Sequence, residues 1–151
     1  MIRQAQITDM RETVALGQEY FASSRYSKYT SDYDQEHATT VFRACIIDPL
    51  KYLDVLDIGD TVCGFCLTVA GQQAWSSNLM ANINLLYITP EHQNSGWSDV
   101  FVERAVAWAQ QHNMDEVICG DYAVSPDLFQ RLTRRWDFEP QGFIASRRLN
   151  A

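Results

Sequence analysis

Residues 85–98 read Leu85-Leu86-Tyr87-Ile88-Thr89-Pro90-Glu91-His92-Gln93-Asn94-Ser95-Gly96-Trp97-Ser98. An apolar strand stops at a proline, a short polar turn follows, and a helix begins at a glycine. The first turn of a helix exposes N–H groups with no partner inside the helix, together with a partial positive charge. Both favour an anion such as phosphate. Gly96 allows the backbone to approach a ligand with no Cβ in the way. Many strand–turn–helix segments are plain connections, so the flanking sequence has to carry the argument further.

Upstream, residues 80–88 form a strand in which Ala81, Ile83, Leu85 and Tyr87 alternate with Asn82, Asn84 and Leu86. Before it, residues 52–56 and 61–69 are strands joined by a turn at Gly59-Asp60, a hairpin signal. At the start of the chain, residues 2–6 are a short strand. Asp9 and Glu12 have capping-box spacing and open a helix carrying Leu16, Tyr20 and Phe21. Residues 23–34 are polar and rich in tyrosine (Tyr26, Tyr29, Tyr33), which predicts a loop. Ala38, Val41, Phe42, Cys45 and Ile46 then repeat at helical spacing until Asp48-Pro49.

Downstream, the helix of residues 96–112 sets Trp97, Val100, Phe101, Ala105 and Trp108 on one face. A strand at residues 116–120 follows. Ser125 as N-cap and Pro126 at the first helical position open a helix carrying Leu128, Phe129, Leu132 and Trp136. Residues 142–149 read as a last strand. The order β-α-α-β-β-β-α-β-α-β predicts an α/β (α+β) chain with a mixed sheet and helices on both faces.

The 151 residues, 46% hydrophobic and 21% charged, suit a single globular domain spanning residues 1–151. Residues 1–10 have no apolar signal-peptide core, and no stretch approaches the ~18 apolar residues of a membrane span. A soluble, cytoplasmic protein is expected. The net charge of −7 disfavours nucleic acid and anionic membranes as main partners. Cys63 and Cys66 form a CxxC within one strand, and strict alternation would send residues three apart to opposite faces. With His37, His92 and His112 lacking ligand spacing, Cys45, Cys63, Cys66 and Cys119 read as reduced thiols, with no metal site.

The segment Gln93-Asn94-Ser95-Gly96-Trp97-Ser98 resembles the pyrophosphate loop of the GNAT N-acetyltransferases, Gln/Arg-x-x-Gly-x-Gly/Ala. The resemblance covers nearly the whole chain. Ile2-Arg3-Gln4-Ala5 with Thr8-Asp9-Met10 is similar to the family's first strand and helix start. Gly59-Asp60-Thr61-Val62-Cys63-Gly64-Phe65 looks like its hairpin, and Trp136-Asp137-Phe138 resembles the last-helix ending, usually Leu-Gly-Phe. The Ser24-Arg25-Tyr26 and Trp75-Ser76 regions resemble small GNAT proteins often encoded by bacteriophages.

The resemblance implies a GNAT-type sheet that splays after Tyr87-Ile88 and acetyl-coenzyme A as cosubstrate. It also implies transfer of the acetyl group to a small-molecule or protein amine. Backbone groups of Leu86, Tyr87 and Ile88 would pair with the pantetheine arm. The N–H groups of Gln93, Asn94, Ser95, Gly96, Trp97 and Ser98 would hold the pyrophosphate. Ser98 departs from the usual Gly or Ala, with a hydroxyl able to donate to phosphate, and Gln93 lacks the charge of arginine. Thr133 stands where the family often has the tyrosine that protonates the leaving thiolate, and Asn82 and Asn84 stand where a base carboxylate is common. Tyr122 then becomes the candidate acid. Glu91, with His92, is the candidate base acting through water.

Other features stay open. The tyrosine-rich loop fits a substrate lining or a partner surface. Arg131, Arg134 and Arg135 fit a grip on the adenosine 3′-phosphate or a solvated helix face. Besides an active transferase, the resemblance allows a catalytically lapsed domain that binds acetyl-coenzyme A, or a phage-type accessory or structural protein that binds a partner. A homodimer is among the assemblies it allows.

Overall fold

The computed structural model describes residues 1–24, 27, 32–120 and 126–140. The elements are β1 (Ile2–Gln4), α1 (Met10–Ser23), α2 (Gln35–Ile47), β2 (Lys51–Ile58), β3 (Thr61–Gln72), β4 (Leu79–Ile88), α3 (Trp97–Gln111), β5 (Glu116–Cys119) and α4 (Pro126–Arg135). Short 3-10 turns stand at Ile7–Asp9 and Pro90–His92. The sheet runs β1-β2-β3-β4-β5. Neighbouring strands are antiparallel except for β4 and β5, which are parallel, so the sheet is mixed as the element order predicts. The strand expected at residues 142–149 and the N-cap expected at Ser125 lie outside the described residues.

Two helical layers cover the sheet. On one face α1 and α2 bury Val14, Leu16, Phe42 and Cys45 against Leu53, Val55, Phe65 and Leu67. Phe42 meets Phe65 edge-on at 5.3 Å. On the other face α3 and α4 bring Phe101, Val102, Ala105, Leu128 and Leu132 onto Leu56, Cys66 and Ile83. Each fully buried side chain of this size contributes about 1.5–3 kcal/mol. Val41 and Phe129, expected on packed faces, are exposed instead, because their helices turn narrower stripes to the sheet. Arg104 anchors α3 to β2: Nε and Nη2 reach the buried carboxylate of Asp54 at 2.6 and 3.0 Å, and Nη2 also donates to the Tyr52 hydroxyl.

The β2–β3 turn follows the hairpin reading. Gly59 and Asp60 both have positive φ, 60° and 62°, as the two-residue turn that matches strand twist requires. The strands themselves are less regular than their alternation suggests. Leu56 pairs with Gly64 and Asp57 with Val62, so Cys63 is an extra residue in β3. Such a bulge resets the alternation. Cys63 and Cys66 therefore enter the same core cluster, beneath α3 and α4, and not opposite faces as expected. All four cysteines are free.

A second bulge lies in β4. Leu67 pairs with Leu85 and Thr68 with Ile83, which leaves Asn84 unopposed. Before it, Ala81 and Ile83 face α3. After it, Leu86 and Ile88 do, while Leu85 and Tyr87 turn to the α1 side. The four odd-numbered residues read as one face are thus split between two.

The start of α1 also differs from the expected box. Asp9 caps the turn before the helix, accepting the Gln6 N–H at 2.7 Å. The Glu12 carboxylate instead reaches across to the Val62 N–H, also at 2.7 Å. The Arg3 guanidinium holds Asp9 through both carboxylate oxygens at 2.7 and 2.9 Å. That hydrogen-bonded pairing, set against partial burial, keeps the Asp9 carboxyl below its ordinary range. A lowered folded-state pKa makes a contribution that is complete above the unfolded value, about 3.9, and is lost as pH falls through the folded value. In urea titrations, Asp9→Asn should show a flatter loss of stability below about pH 4 than the parent protein.

Candidate active site at the parting of two strands

β4 is hydrogen-bonded to β3 along its length, but β5 accompanies it only from Met80 (opposite Glu116) to Ile83 (opposite Cys119). From Asn84 onward no strand among the described residues pairs with that edge. The parting begins at the residue that forms the bulge, because the bulge turns β4 away from the line of β5. Along residues 84–88 this edge carries the backbone donors and acceptors of alternate residues, which a ligand can pair, apart from the Ile88 carbonyl, which takes the Gln93 side chain. Gly64 allows β3 to stay close on the other side: a Cβ there would stand 2.7 Å from the Tyr87 carbonyl oxygen.

The free edge leads straight into the loop before α3. The Thr89 N–H returns to the Cys63 carbonyl, and Gln93 Nε2 donates to the Ile88 carbonyl at 2.8 Å. The Gln93 side chain thus holds the strand end, and its N–H is spent on Pro90 at 3.3 Å. Asn94 and Gly96 both lie in the left-handed region, at φ 61° and 81°. Between and after them, the N–H groups of Asn94, Ser95, Gly96, Trp97 and Ser98 have no hydrogen-bond acceptor among the described residues. Consecutive unpaired N–H groups at a helix start form a concave anion-binding surface. Of the residues singled out for the phosphate role, all but Gln93 keep their N–H free.

Ser98 has a partner that the sequence did not disclose. Its hydroxyl accepts from Arg131 Nη2 at 2.8 Å, which leaves the hydroxyl proton available to donate. Arg131 also binds Asp99 at 3.0 Å, and Arg135 binds the other Asp99 oxygen at 3.3 Å. α4 is thereby tied to the first turn of α3. Arg134 joins these arginines around an open cleft of about 410 Å³.

The acid–base candidates are less organised. Glu91 is exposed, and its Oε1 lies 3.9 Å from His92 Nδ1. His92 Nδ1 lies 3.0 Å from the Thr89 hydroxyl. Tyr122 lies outside the described residues. The Thr133 hydroxyl donates along its own helix to the Gln130 carbonyl at 3.0 Å, which removes it from any proton relay. Burial pushes the Cys63 and Cys66 thiols up, and the Cys119 thiol up to about 12, so these sulfurs are poor nucleophiles.

The α1 side of β4 holds further functional groups. Ala81 and Ile83 face α3, so Asn82 points the opposite way, and its Oδ1 is buried with no hydrogen-bond partner among the described residues. Tyr87 packs edge-on to Tyr20 at 6.1 Å and donates to Glu19 Oε2 at 3.2 Å. Burial first, then the charges of Glu19 and Glu91, push its phenol up. Glu19 gave no signal in sequence, being one more exposed carboxylate beside the apolar stripe of α1. A separate cleft of about 530 Å³ lies under Tyr52, Arg104, Trp108 and His112. It sits at the far end of α3, about 20 Å from Gly96 at 1.5 Å per residue.

No family sequence model matches the chain, and no curated protein matches it in sequence. Solved structures do. A "predicted acetyltransferase" from Clostridium acetobutylicum, solved with acetyl-CoA, superposes with a TM-score of 0.78 at 11% identity, over 97% of this chain and 95% of that one. Glucosamine-6-phosphate N-acetyltransferase from Arabidopsis thaliana gives 0.74 at 12%, over 99% and 98%. An aminoglycoside acetyltransferase from an uncultured soil metagenomic sample, in complex with sisomicin, gives 0.73 at 18%, over 99% and 96%. The chain has the fold of the GNAT acetyltransferases.

Among the described residues, no helix is long and apolar enough to cross a membrane, and no cluster of side chains suits a metal ion. A Cβ added at Gly96 would meet nothing within 4 Å, so only its backbone conformation demands glycine. Gly96→Ala should therefore fold with a loss of about 1–2 kcal/mol, the cost of a left-handed L-residue. Chemical denaturation checks this. A loss well above that range would mean the space is not open.

Proposed function

We propose that this chain is an acetyl-coenzyme A-dependent N-acetyltransferase. The observation that carries the reading is the continuity of a strand edge that no described strand pairs with a loop whose N–H groups have no acceptor among the described residues. The edge of Leu86, Tyr87 and Ile88 suits the amides of a pantetheine arm. The N–H groups of residues 94–98 suit its pyrophosphate, with the Ser98 hydroxyl and Arg131 alongside. The thioester would then lie near the apex of the parting, at Asn84 and Leu85, open to an amine from the α1 side.

In the reaction the amine nitrogen bonds to the thioester carbonyl carbon, the carbon–sulfur bond breaks, and the amine gives up a proton. A thiol with a pKa near that of cysteine, about 8.5, leaves as thiolate without needing a strong acid. The amine must be neutral before it attacks, and a negatively charged surface stabilises its ammonium form. Proximity and orientation supply most of such an acceleration. Tyr122 is assigned as an auxiliary proton donor and Glu91 as a base acting through water.

Calorimetry with acetyl-coenzyme A should show binding to the parent protein and none to folded Gly96→Glu, whose carboxylate would stand among the anion-binding N–H groups. Unchanged affinity in that variant would rule the site out. With a panel of amines, release of free thiol should rise with pH across about pH 6–10 as the amine deprotonates, and Tyr122→Phe should cost at most about tenfold. A thousandfold fall would make Tyr122 the essential acid. The spent hydroxyl of Thr133 favours one second reading, a lapsed enzyme that keeps the cosubstrate as ligand. Binding without turnover at any pH would support it.

A further inference from the structure

The α1 face beside the apex of the parting carries a set of groups that the transfer chemistry above does not use. Glu19 is exposed on α1, and one of its oxygens is fixed by the Tyr87 hydroxyl at 3.2 Å. Its other oxygen makes no contact with a cation among the described residues. Tyr20 and Tyr87, edge to face, supply aromatic surface beside it. Ring faces and a carboxylate together favour an ammonium group. Nearer the apex, the buried Asn82 Oδ1 has no hydrogen donor among the described residues, which leave this acceptor unsatisfied. An N–H-bearing ligand that displaced the groups covering it would satisfy it.

Spacing along β4 adds a constraint. Along the backbone, Tyr87 lies two to three residues beyond the apex at Asn84 and Leu85, about 7–10 Å at 3.3 Å per residue, and Glu19 meets it only at the far end of the phenol. A single amine cannot bond the thioester carbon at the apex and also rest on Glu19. A molecule with two nitrogens at least that far apart does both.

We propose that Glu19, oriented by Tyr87, is the anchor for a second, charged ammonium group of a polyamine-type acceptor, whose other amine reaches the parting of β4 and β5. This inference rests on the acetyl-transfer reading for the role of the apex, but the anchor itself is a binding site that can be measured alone. Glu19 is a specificity-determining residue in this scheme, and Tyr87 a positioning residue. Tyr87 fixes which way the carboxylate points, and loss of its hydroxyl leaves the charge in place.

The test is calorimetric titration of spermidine and, separately, butylamine into the protein with and without coenzyme A. Spermidine should bind at least tenfold more tightly than butylamine. Glu19→Gln should erase that preference, and Tyr87→Phe should reduce it by a smaller factor. Glu36→Gln, which removes the same charge from an exposed position in the first turn of α2, should keep it. Equal binding of the two amines, absence of spermidine binding, or an equal effect of Glu36→Gln and Glu19→Gln would each overturn the anchor. Failure of acetyl-coenzyme A to bind, with the spermidine preference intact, would overturn the transferase reading and leave the anchor standing. Steady-state kinetics add a separate readout: Glu19→Gln should raise KM for spermidine at least tenfold, with kcat changed less than threefold. A fall in kcat alone would count against an anchoring role.

Discussion

The structure depends on one backbone constraint. A central strand must have hydrogen-bond partners on both edges, or else present its polar groups to water or a ligand. β4 meets this on the β3 side throughout and on the β5 side only as far as Ile83. The extra residue at Asn84 turns the strand at that place and exchanges its two faces. Free edge and changed facing are therefore two results of one insertion. The apolar side chains after the bulge still find their layers, Leu86 and Ile88 under α3 and Leu85 and Tyr87 under α1, so the break costs the core little.

The loop beyond β4 continues the same logic. Thr89, Gln93 and the turn at Pro90–His92 satisfy the groups nearest the strand end. Around the left-handed residues Asn94 and Gly96, the N–H groups of residues 94–98 then find no acceptor in the described chain. Those donors stay in place because α4 grips the start of α3 through Arg131, Arg135 and Asp99, while Arg104 and Asp54 secure its middle to β2. α3 thus presents its N-terminus at a fixed position relative to the free edge. Groups held ready in this way bind a charged ligand with little reorganisation.

Much of this was legible in the sequence, for local reasons. Gly59-Asp60 marks a turn by its backbone preference, Pro90 ends a strand, and Gly96 marks a helix start that only glycine adopts easily. What failed was any inference that carried strict alternation across a bulge. Cys63 and Cys66 were expected on opposite faces and share one, and Ala81 to Tyr87 were expected on one face and occupy two. A bulge is set by how two strands register, and neither strand alone records it. Cross-chain polar contacts were equally hidden. Glu12 to Val62, Arg104 to Asp54 and Tyr87 to Glu19 join residues fifty or more positions apart, and no local spacing announces them. Asp137 is an intermediate case: its φ of 54° shows why glycine is the usual residue before the phenylalanine of the motif it resembles.

The central claim is that the edge of β4 and the N–H groups after it form one continuous ligand surface. Amide NMR spectra recorded during a titration with coenzyme A test it most directly. The account requires saturable shifts at Leu86, Tyr87 and Ile88 and at residues 94–98 in the same titration, with a single affinity. Shifts confined to the cleft under Tyr52 and Trp108, or spread weakly over the basic side chains with no change at residues 94–98, would contradict it.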